Sequence, residues 1–422
     1  MEYLKKDLGS YNLHLIKTKK FKTITVRVNF RSPIIKDEIT TRNVLCDMFI
    51  QSSKNFKSKR DLTIKTQDLY SIDISTSTNR FGNYTNMNFY LNSLNDKYTE
   101  EGNFNKAFDF FTEIIFDPDI KNNKFNKEKL EIVRESNRKM LLSLKEDASN
   151  YSVIRMYENL DNTPSSYRGV GYLEDLDKIT PESLFKYYQK MLEKDLVDIF
   201  VIGDFDFQEM IELIKKKIKL KTLKKKRIPY IVKEQTVRKK KQVVKEKINT
   251  TQSKLSIACR TNKLSQHERN YALTLFTIIF GGGVDSKLFK EVREKNSLCY
   301  SISAVPNKFD NIILIRAGID KENYNKTISL VEKILNNMKK GKFTEDDINV
   351  AKEYYNTSLD EIEESQGRII ESYFMKDILN TDTIENKRKY INKVTKEEII
   401  KVAKKVKIDT VFLLEGDSNE RN

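Results

Sequence analysis

The chain has 422 residues, with 77 Lys and Arg against 61 Asp and Glu, so its formal net charge is +16. This length is about three times that of a typical domain, which excludes a small disulfide-stapled scaffold and predicts two or more compact units. With 23 Phe and 20 Tyr, the chain has enough large apolar side chains to build a core, and this argues against global disorder. The composition therefore predicts a soluble globular protein.

Strand and helix patterns follow one another in the first half. Residues 24–30 alternate apolar and polar side chains, as a half-buried strand does, and a helix is predicted to begin near Thr40. Apolar residues at helical spacing predict a helix over 104–115, and a charged helix is predicted over 127–145. The apolar, β-branched run at 196–202 predicts a closing strand.

Nearly all of the excess charge lies in one segment near the middle of the chain, residues 215–247. This segment holds sixteen Lys or Arg against only Glu234 and Glu246, so it carries +14 of the +16. Runs of like charge are typical of solvated linkers, and we interpret the segment as a basic linker. A polyanion-binding patch is the alternative, but nucleic acid is not the expected partner because the rest of the chain is nearly neutral.

The second half repeats the order of the first. A strand pattern at 254–259 precedes an apolar helix at 271–280, as the strand at 24–30 precedes the helix near Thr40. The closing strand of each half ends in Gly-Asp, at 203–204 and at 416–417. We therefore predict two similar α+β domains and a linker: residues 1–214, 248–422 and 215–247.

Cysteine and histidine usage restricts the possible chemistry. The three cysteines lack CxxC spacing, which argues against a disulfide framework or a thiolate zinc site and fits a cytoplasmic location. His14 and His267 have no second His or Cys at metal-ligand spacing, so both are interpreted as surface or edge residues. The N-terminal residues have no apolar segment typical of secretion, and no apolar run is long enough to span a membrane, so neither is predicted.

The densest motif covers residues 280–301. It begins with three glycines that free the backbone: Gly281, Gly282 and Gly283. Arg293 is predicted on the helix that follows and Tyr300 at the start of the next strand. Their guanidinium and phenol groups could together bind a peptide carbonyl or carboxylate. The alternative is a glycine hinge with a structural contact between Arg293 and Tyr300.

At this motif the chain resembles the insulinase/pitrilysin family of metallopeptidases, which includes the mitochondrial processing peptidase. The resemblance covers nearly the whole chain: the duplicated halves, the linker and the run Gly-Gly-Gly-x-x-Ser-x-Leu-Phe-x-x-Val-Arg-Glu-Lys-x-x-Leu-x-Tyr-Ser. It implies α+β halves, each an α/β sandwich with a sheet flanked by helices, which close around an extended peptide bound as an edge strand. It also implies that Arg293 and Tyr300, with the glycines beside them, bind the substrate and stabilise the transition state.

The same resemblance identifies a departure in the first half. Where the family has its zinc motif His-x-x-Glu-His, this chain has Asn43, Cys46 and Asp47 in place of the two histidines and the glutamate. A neutral amide oxygen is a poor zinc ligand and a thiol is a poor base at neutral pH, so no metal site is predicted. The carboxylates near the family's third-ligand helix are then interpreted as a solvated face: Glu128, Glu131 and Glu135.

A chain that keeps the Arg/Tyr pair and lacks the zinc ligands resembles the non-catalytic subunit of a heterodimeric peptidase of this family. The implied partner is a homologous subunit that holds the zinc, the implied substrate is an extended peptide, and the chain alone is inactive and without a cofactor. One branch of the family is associated with modification of translation elongation factor P, and an inactive cytoplasmic member is compatible with that branch.

Three alternatives stay open. The first is a pseudoenzyme that binds a peptide or protein without cleavage, as an accessory factor in protein modification. The second uses the basic segment to bind nucleic acid. The third is a self-sufficient homodimeric peptidase with unrecognised ligands.

Overall fold

A computed structural model describes residues 1–221 and 225–416. Its strands are β1 Glu2–Asp7, β2 Asn12–Lys17, β3 Thr23–Pro33, β4 Asp73–Phe81, β5 Tyr84–Leu94, β6 Ile120–Lys121, β7 Lys124–Phe125, β8 Leu196–Gly203, β9 Gln242–Ile248, β10 Ser253–Thr261, β11 Cys299–Asn307, β12 Ile312–Ile319 and β13 Val406–Gly416. Its α-helices are α1 Ile39–Met48, α2 Lys59–Asp68, α3 Asn103–Phe116, α4 Lys127–Leu142, α5 Ala148–Glu158, α6 Leu173–Leu176, α7 Pro181–Lys194, α8 Phe207–Lys217, α9 Leu273–Gly281, α10 Tyr324–Lys339, α11 Glu345–Glu363, α12 Gln366–Leu379, α13 Ile384–Lys393 and α14 Lys396–Lys405. Two further segments are π-helical: Glu268–Ala272 and Phe289–Lys295. Of the helices described, none is both long and apolar enough to cross a membrane.

The chain divides into two compact units that are not contiguous in sequence. The first unit contains Met1–Leu142, Arg168–Pro229 and Ser365–Ser372, and the second contains Ser143–Tyr167, Tyr230–Glu364 and the residues from Tyr373 onward. These units differ from the predicted domains 1–214 and 248–422. Residues 143–167 belong to the second unit because they contain helix α5. Met156 of this helix lies in a buried apolar cluster with Phe412 of β13.

The two sheets share one topology, as the predicted repeat requires. The first sheet has the strand order β1-β2-β8-β3-β5-β4 and the second has the order β11-β12-β10-β13-β9. Counted from β4 and from β11, each sheet has three antiparallel pairings followed by one parallel pairing, β8 with β2 and β13 with β9. Helices flank both sheets, so the predicted fold class is confirmed.

An arginine and an aspartate form a buried pair at the same place in each sheet. In the first sheet, Arg31 of β3 bonds to Asp198 of β8. In the second sheet, Arg260 of β10 lies 3.7 Å from Asp409 of β13, and both side chains are buried. Charged groups are seldom buried unless they are paired. In each sheet, the arginine and the aspartate meet only when the two central strands are in the correct register.

The basic segment is not a continuous solvated linker. Lys215, Lys216 and Lys217 form the last turn of α8, where cations interact favourably with the helix dipole. At the other end, β9 pairs in parallel with β13, so the second repeat begins at Gln242 and not at residue 248. Between them, Arg238 bonds to the buried carboxylate of Asp409. Lys224, which belongs to the basic segment, and Asp417, which follows the last strand, lie outside the described residues.

The interpretation of His14 as a surface or edge residue is wrong. Its side chain on β2 is fully buried, and its ring stacks on Phe200 with 4.1 Å between ring centroids. The Nε2 atom lies 3.4 Å from Asp198, and the hydroxyl of Tyr3 lies 2.8 Å from Nδ1. The strand β2 has neighbours on both sides, and this burial was not apparent from its short alternating pattern. His267 has a half-exposed side chain, as predicted.

Helix α1 is anchored by a fully buried arginine. The guanidinium of Arg42 donates hydrogen bonds to the carbonyl of Phe30 at 2.6 Å, to the carboxylate of Asp195 at 2.7 Å and to the hydroxyl of Tyr187 at 3.3 Å. These partners lie on β3, directly before β8, and on α7. The interaction therefore ties α1 to three neighbouring elements of the first unit.

Removing this guanidinium should destabilise the fold strongly. Arg42→Ala leaves Asp195 buried without its cation, and breaking a buried pair in this way costs about 3–5 kcal/mol. The control Arg60→Ala removes an exposed guanidinium on α2 and should change the free energy of unfolding by less than about 0.5 kcal/mol. Chemical denaturation followed by circular dichroism measures both, and equal losses in the two variants would contradict the anchoring role.

Candidate functional site

Arg293 is presented to solvent by the π-helical segment that follows the glycine run. Ser286 lies three residues before this segment, and its Oγ accepts a hydrogen bond from the amide of Phe289 at 3.4 Å. Leu288 and Val292 are fully buried, and this orients Arg293 towards solvent. Its guanidinium carbon lies 4.6 Å from the centroid of the Phe289 ring, so a cation–π contact stabilises the position of the side chain.

Tyr300 lies at the start of β11, the edge strand of the second sheet, and its side chain is 82% exposed. Arg293 and Tyr300 line one cavity of about 1050 Å³ within the second unit, together with Gln252, Ser297 and Asp320. In the part of the chain that the structure describes, neither the guanidinium nor the phenol has a hydrogen-bond or ion-pair partner. The structure thus brings together the two residues that the motif singled out and leaves both sets of donors free.

Cys299 lines the same cavity beside Tyr300, but its chemistry is not that of a nucleophile. Burial raises the pKa of its thiol to about 11, although the nearby charge of Arg293 acts in the opposite direction. At neutral pH the thiol is therefore protonated, and only the thiolate attacks carbonyls efficiently.

The three glycines lie apart from this cavity. Gly281 is buried, and a Cβ atom there would lie 2.7 Å from the Cβ of Ala304 and 2.8 Å from Leu288, so a close approach to β11 requires glycine. Gly282 caps the end of α9, and an added Cβ there would lie 2.6 Å from the Cα of Ile278. Gly282 and Gly283 line a different cavity, and an added Cβ at Gly283 would meet nothing. The glycines shape the turn that carries Arg293, and their predicted contact with a substrate stays a prediction.

In the first unit, the residues that replace the zinc motif lie on one face of α1. The side-chain amide of Asn43 donates to the carbonyl of Gly169 at 2.9 Å, and its oxygen accepts a hydrogen bond from Thr78 at 2.6 Å. The carboxylate of Asp47 accepts a hydrogen bond from Asn137 at 2.7 Å. Burial raises the pKa of Asp47, which this hydrogen bond partly offsets.

These residues do not fit a zinc ion. The oxygen of Asn43 is occupied by Thr78, and Asn137 directs an amide N–H, which cannot bind a cation, at Asp47. Burial raises the pKa of the Cys46 thiol to about 12, so it is neither a thiolate ligand nor a base at neutral pH. The side chains of Asn43 and Asp47 thus have hydrogen-bond partners on neighbouring parts of the first unit.

The carboxylates on α4 are not brought to this face. Glu131 pairs with Arg134 at 2.7 Å and Glu135 with Arg138 at 3.1 Å, and the two glutamate side chains are about half exposed. Glu128 is exposed at the first turn. Their interpretation as a solvated face agrees with these positions.

Asn137 is the residue of this site that the sequence did not reveal. It is 4% exposed on α4 and lies on the buried stripe that Leu130, Val133 and Leu141 form. The signal was available in principle, because an amide in an apolar stripe at helical spacing requires a buried hydrogen-bond partner. The partner, Asp47, lies 90 residues earlier, and no local pattern connects the two.

Comparison with known proteins places this geometry in context. The family model "Peptidase M16 inactive domain" matches residues 178–355. The chain is 28% identical over 419 residues to a Bacillus subtilis protein named "Probable inactive metalloprotease YmfF", with 98% of this chain and 97% of that protein covered. The crystal structure of a conserved protein from Enterococcus faecalis matches with a TM-score of 0.90, 30% identity and full coverage of both chains. That of a peptidase M16 inactive domain from Pseudomonas fluorescens matches with a TM-score of 0.79 and 14% identity over 99% of each chain.

The face on α1 should not hold zinc. We expect the purified chain to contain no stoichiometric zinc by elemental analysis, and its thermal unfolding to be unchanged by a chelator, because a structural zinc ion would add several kcal/mol of stability. Asp47→Asn is the matched control, since it removes the one carboxylate on this face. One zinc ion per wild-type chain that is lost in Asp47→Asn would contradict the expectation.

Proposed function

The chain belongs to the M16 peptidase family as an inactive homologue, and we propose that it is the non-catalytic subunit of a two-subunit zinc metallopeptidase. In this proposal it supplies Arg293 and Tyr300 to a homologous subunit that holds the zinc. The observation that carries the proposal is that both side chains are exposed, unpaired among the described residues and directed into one cavity.

The two groups suit a role in peptide hydrolysis. A guanidinium presents several N–H donors in a planar fork and stays charged at any physiological pH, and a phenol adds a single directional donor. Donors of this kind stabilise the oxyanion that develops when water adds to a peptide carbonyl. Neither group can activate the water, so the base and the metal belong to the partner.

The free edge of β11 offers a way to hold the substrate. Tyr300 lies on this strand, and β11 pairs only with β12 within the described sheet. An extended peptide can add to such an edge through backbone hydrogen bonds, with little demand on its side chains. The substrate class in this proposal is therefore an extended or unfolded peptide.

A heterodimer assay tests the proposal. The chain is mixed with a homologue that carries an intact His-x-x-Glu-His motif, and cleavage of an unstructured peptide is followed with each subunit alone and with both. We expect cleavage only by the mixture. Arg293→Ala should lower kcat/KM about 100-fold or more, since that is the usual effect of removing a transition-state donor, and Tyr300→Phe should also lower it.

Two substitutions serve as matched controls. Lys295→Ala removes an exposed cation from the same π-helical segment, and Tyr98→Phe removes an exposed phenol in the first unit. Both should leave cleavage unchanged. Full activity of the Arg293→Ala/Tyr300→Phe double variant would refute the half-site. A complex that binds the peptide without cleaving it would instead favour a pseudoenzyme that acts as an accessory factor in protein modification.

A further inference from the structure

A second cavity of about 530 Å³ lies in the second unit, beside the turn that joins β11 and β12. Its volume falls within the roughly 300–1,000 Å³ of small-molecule sites. It shares no lining residue with the cavity of Arg293 and Tyr300. Most of its wall is aromatic or apolar: Tyr157, Tyr271, Phe309, Tyr355, Met375 and Leu379.

Two lysines interrupt this apolar wall. The ammonium group of Lys308 donates to the carbonyl of Asn270 at 3.3 Å and to the hydroxyl of Thr274 at 3.1 Å, which leaves one of its three N–H groups unused. Lys387, on α13, lines the same cavity. Among the described residues, neither lysine has a carboxylate within ion-pair distance.

The two cations also act on each other. Burial, together with the charges of Lys387 and Arg269, lowers the pKa of Lys308 to about 8. Burial likewise lowers the pKa of Lys387, which Asp382 opposes and Lys376 reinforces. The carboxylate of Asp382 accepts a hydrogen bond from Tyr271 and forms no ion pair with either lysine. Like charges in a half-buried cavity are costly without a counter-charge, and a bound anion would supply it.

We propose that this cavity binds a small amphipathic anion, in which an apolar or aromatic body carries one carboxylate. Lys308 and Lys387 hold the carboxylate, and the tyrosines and Phe309 enclose the body. The carboxylate can belong to a free small molecule or to the last residue of a peptide, since both present the same group. The proposal does not depend on the subunit role, because it uses a different cavity.

Calorimetric titration of the full chain tests it with matched probes. N-acetyl-L-phenylalanine and its amide differ only in the charge, so we expect the acid to bind at one site and at least about tenfold more tightly than the amide. Inorganic phosphate should bind more weakly than the acid, because it has no apolar body. Equal affinities of acid and amide, tighter binding of phosphate, or no saturation at millimolar acid would overturn the proposal.

A second pair of probes separates the two sources. N-acetyl-Ala-Ala-Phe with a free carboxylate should bind as tightly as N-acetyl-L-phenylalanine if the cavity accepts a peptide C-terminus. If only the single amino-acid derivative binds, the ligand is a free small molecule. Either result supports an amphipathic anion.

Substitutions assign the charge. Lys308→Met and Lys387→Met should each weaken binding of the acid about tenfold or more and leave the amide unaffected. Both remove a half-buried cation in favour of an apolar group of similar length, a change that a fold usually tolerates. Lys389→Met, an exposed lysine on the same helix, is the control and should bind as the wild type does. Wild-type affinity in both Lys308→Met and Lys387→Met would overturn the proposal.

The pH dependence gives an independent readout. Because the pKa of Lys308 in the free protein is about 8 and the anion binds the protonated form, affinity should fall as the pH rises through about 8. Burial also lowers the pKa of Lys387, so its titration acts in the same direction. Arg269 stays charged there, and burial keeps the pKa of Tyr355 near 12 and that of Tyr271 higher still, so these groups do not titrate. An affinity for the acid that is the same at pH 7 and pH 9.5 would argue against Lys308 as its ligand.

Discussion

The buried ion pair between Arg42 and Asp195 fixes the position of helix α1, and the candidate site of the first unit depends on that position. Asn43 follows Arg42 directly, and Asp47 lies one helical turn later. Since the guanidinium also bonds to the carbonyl of Phe30, a rotation or shift of α1 would strand a charge away from water. Low-dielectric surroundings make such a state costly, so α1 is held firmly in place.

The two candidate sites differ in how their polar groups are satisfied. On α1, Asn43 bonds to Thr78 and Asp47 bonds to Asn137, so both side chains already have hydrogen-bond partners within the first unit. In the second unit, Arg293 and Tyr300 are exposed, and no hydrogen-bond or ion-pair partner for either is present in the described residues. Apart from the contact of Arg293 with Phe289, the fold gains little from an exposed guanidinium and phenol in one cavity. This contrast supports the proposal that Arg293 and Tyr300 act at the site of another subunit.

The repeat was the most informative feature of the sequence, because the order of strand and helix patterns is set by local periodicity. It predicted two similar sheets, and their strand orders agree from β4 to β2 and from β11 to β9. The start of the second repeat at Gln242 was missed because its lysines placed it in the basic segment. In addition, Val243 takes an exposed position of β9 and Glu246 a less exposed one, so the apolar alternation is broken. The place of α5 in the second unit depends on packing of Met156, which no local pattern reports.

Residues of the candidate sites could be predicted from the sequence only where they lie in one continuous motif. Arg293 and Tyr300 lie in one continuous run, and so they could be identified together. Asn137 meets Asp47 across 90 residues, and Lys308 meets Lys387 only through the fold. Such pairs depend on tertiary contacts, and elimination by residue type cannot reveal them.

Pairing, and not the number of charges, decides where this basic protein can attract an anion. The basic segment dominates the net charge of +16, yet several of its cations have acidic partners within their own unit: Lys217 with Asp109, Arg238 with Asp409, and Lys241 with Glu332. The exposed pairs among these add little stability, but all three reduce the local field that a polyanion would sense. Lys308 and Lys387 lie outside the segment and contribute only two charges. Because their charges are half-buried and uncompensated in an apolar cavity, each interacts with an anion more strongly than a solvated lysine does.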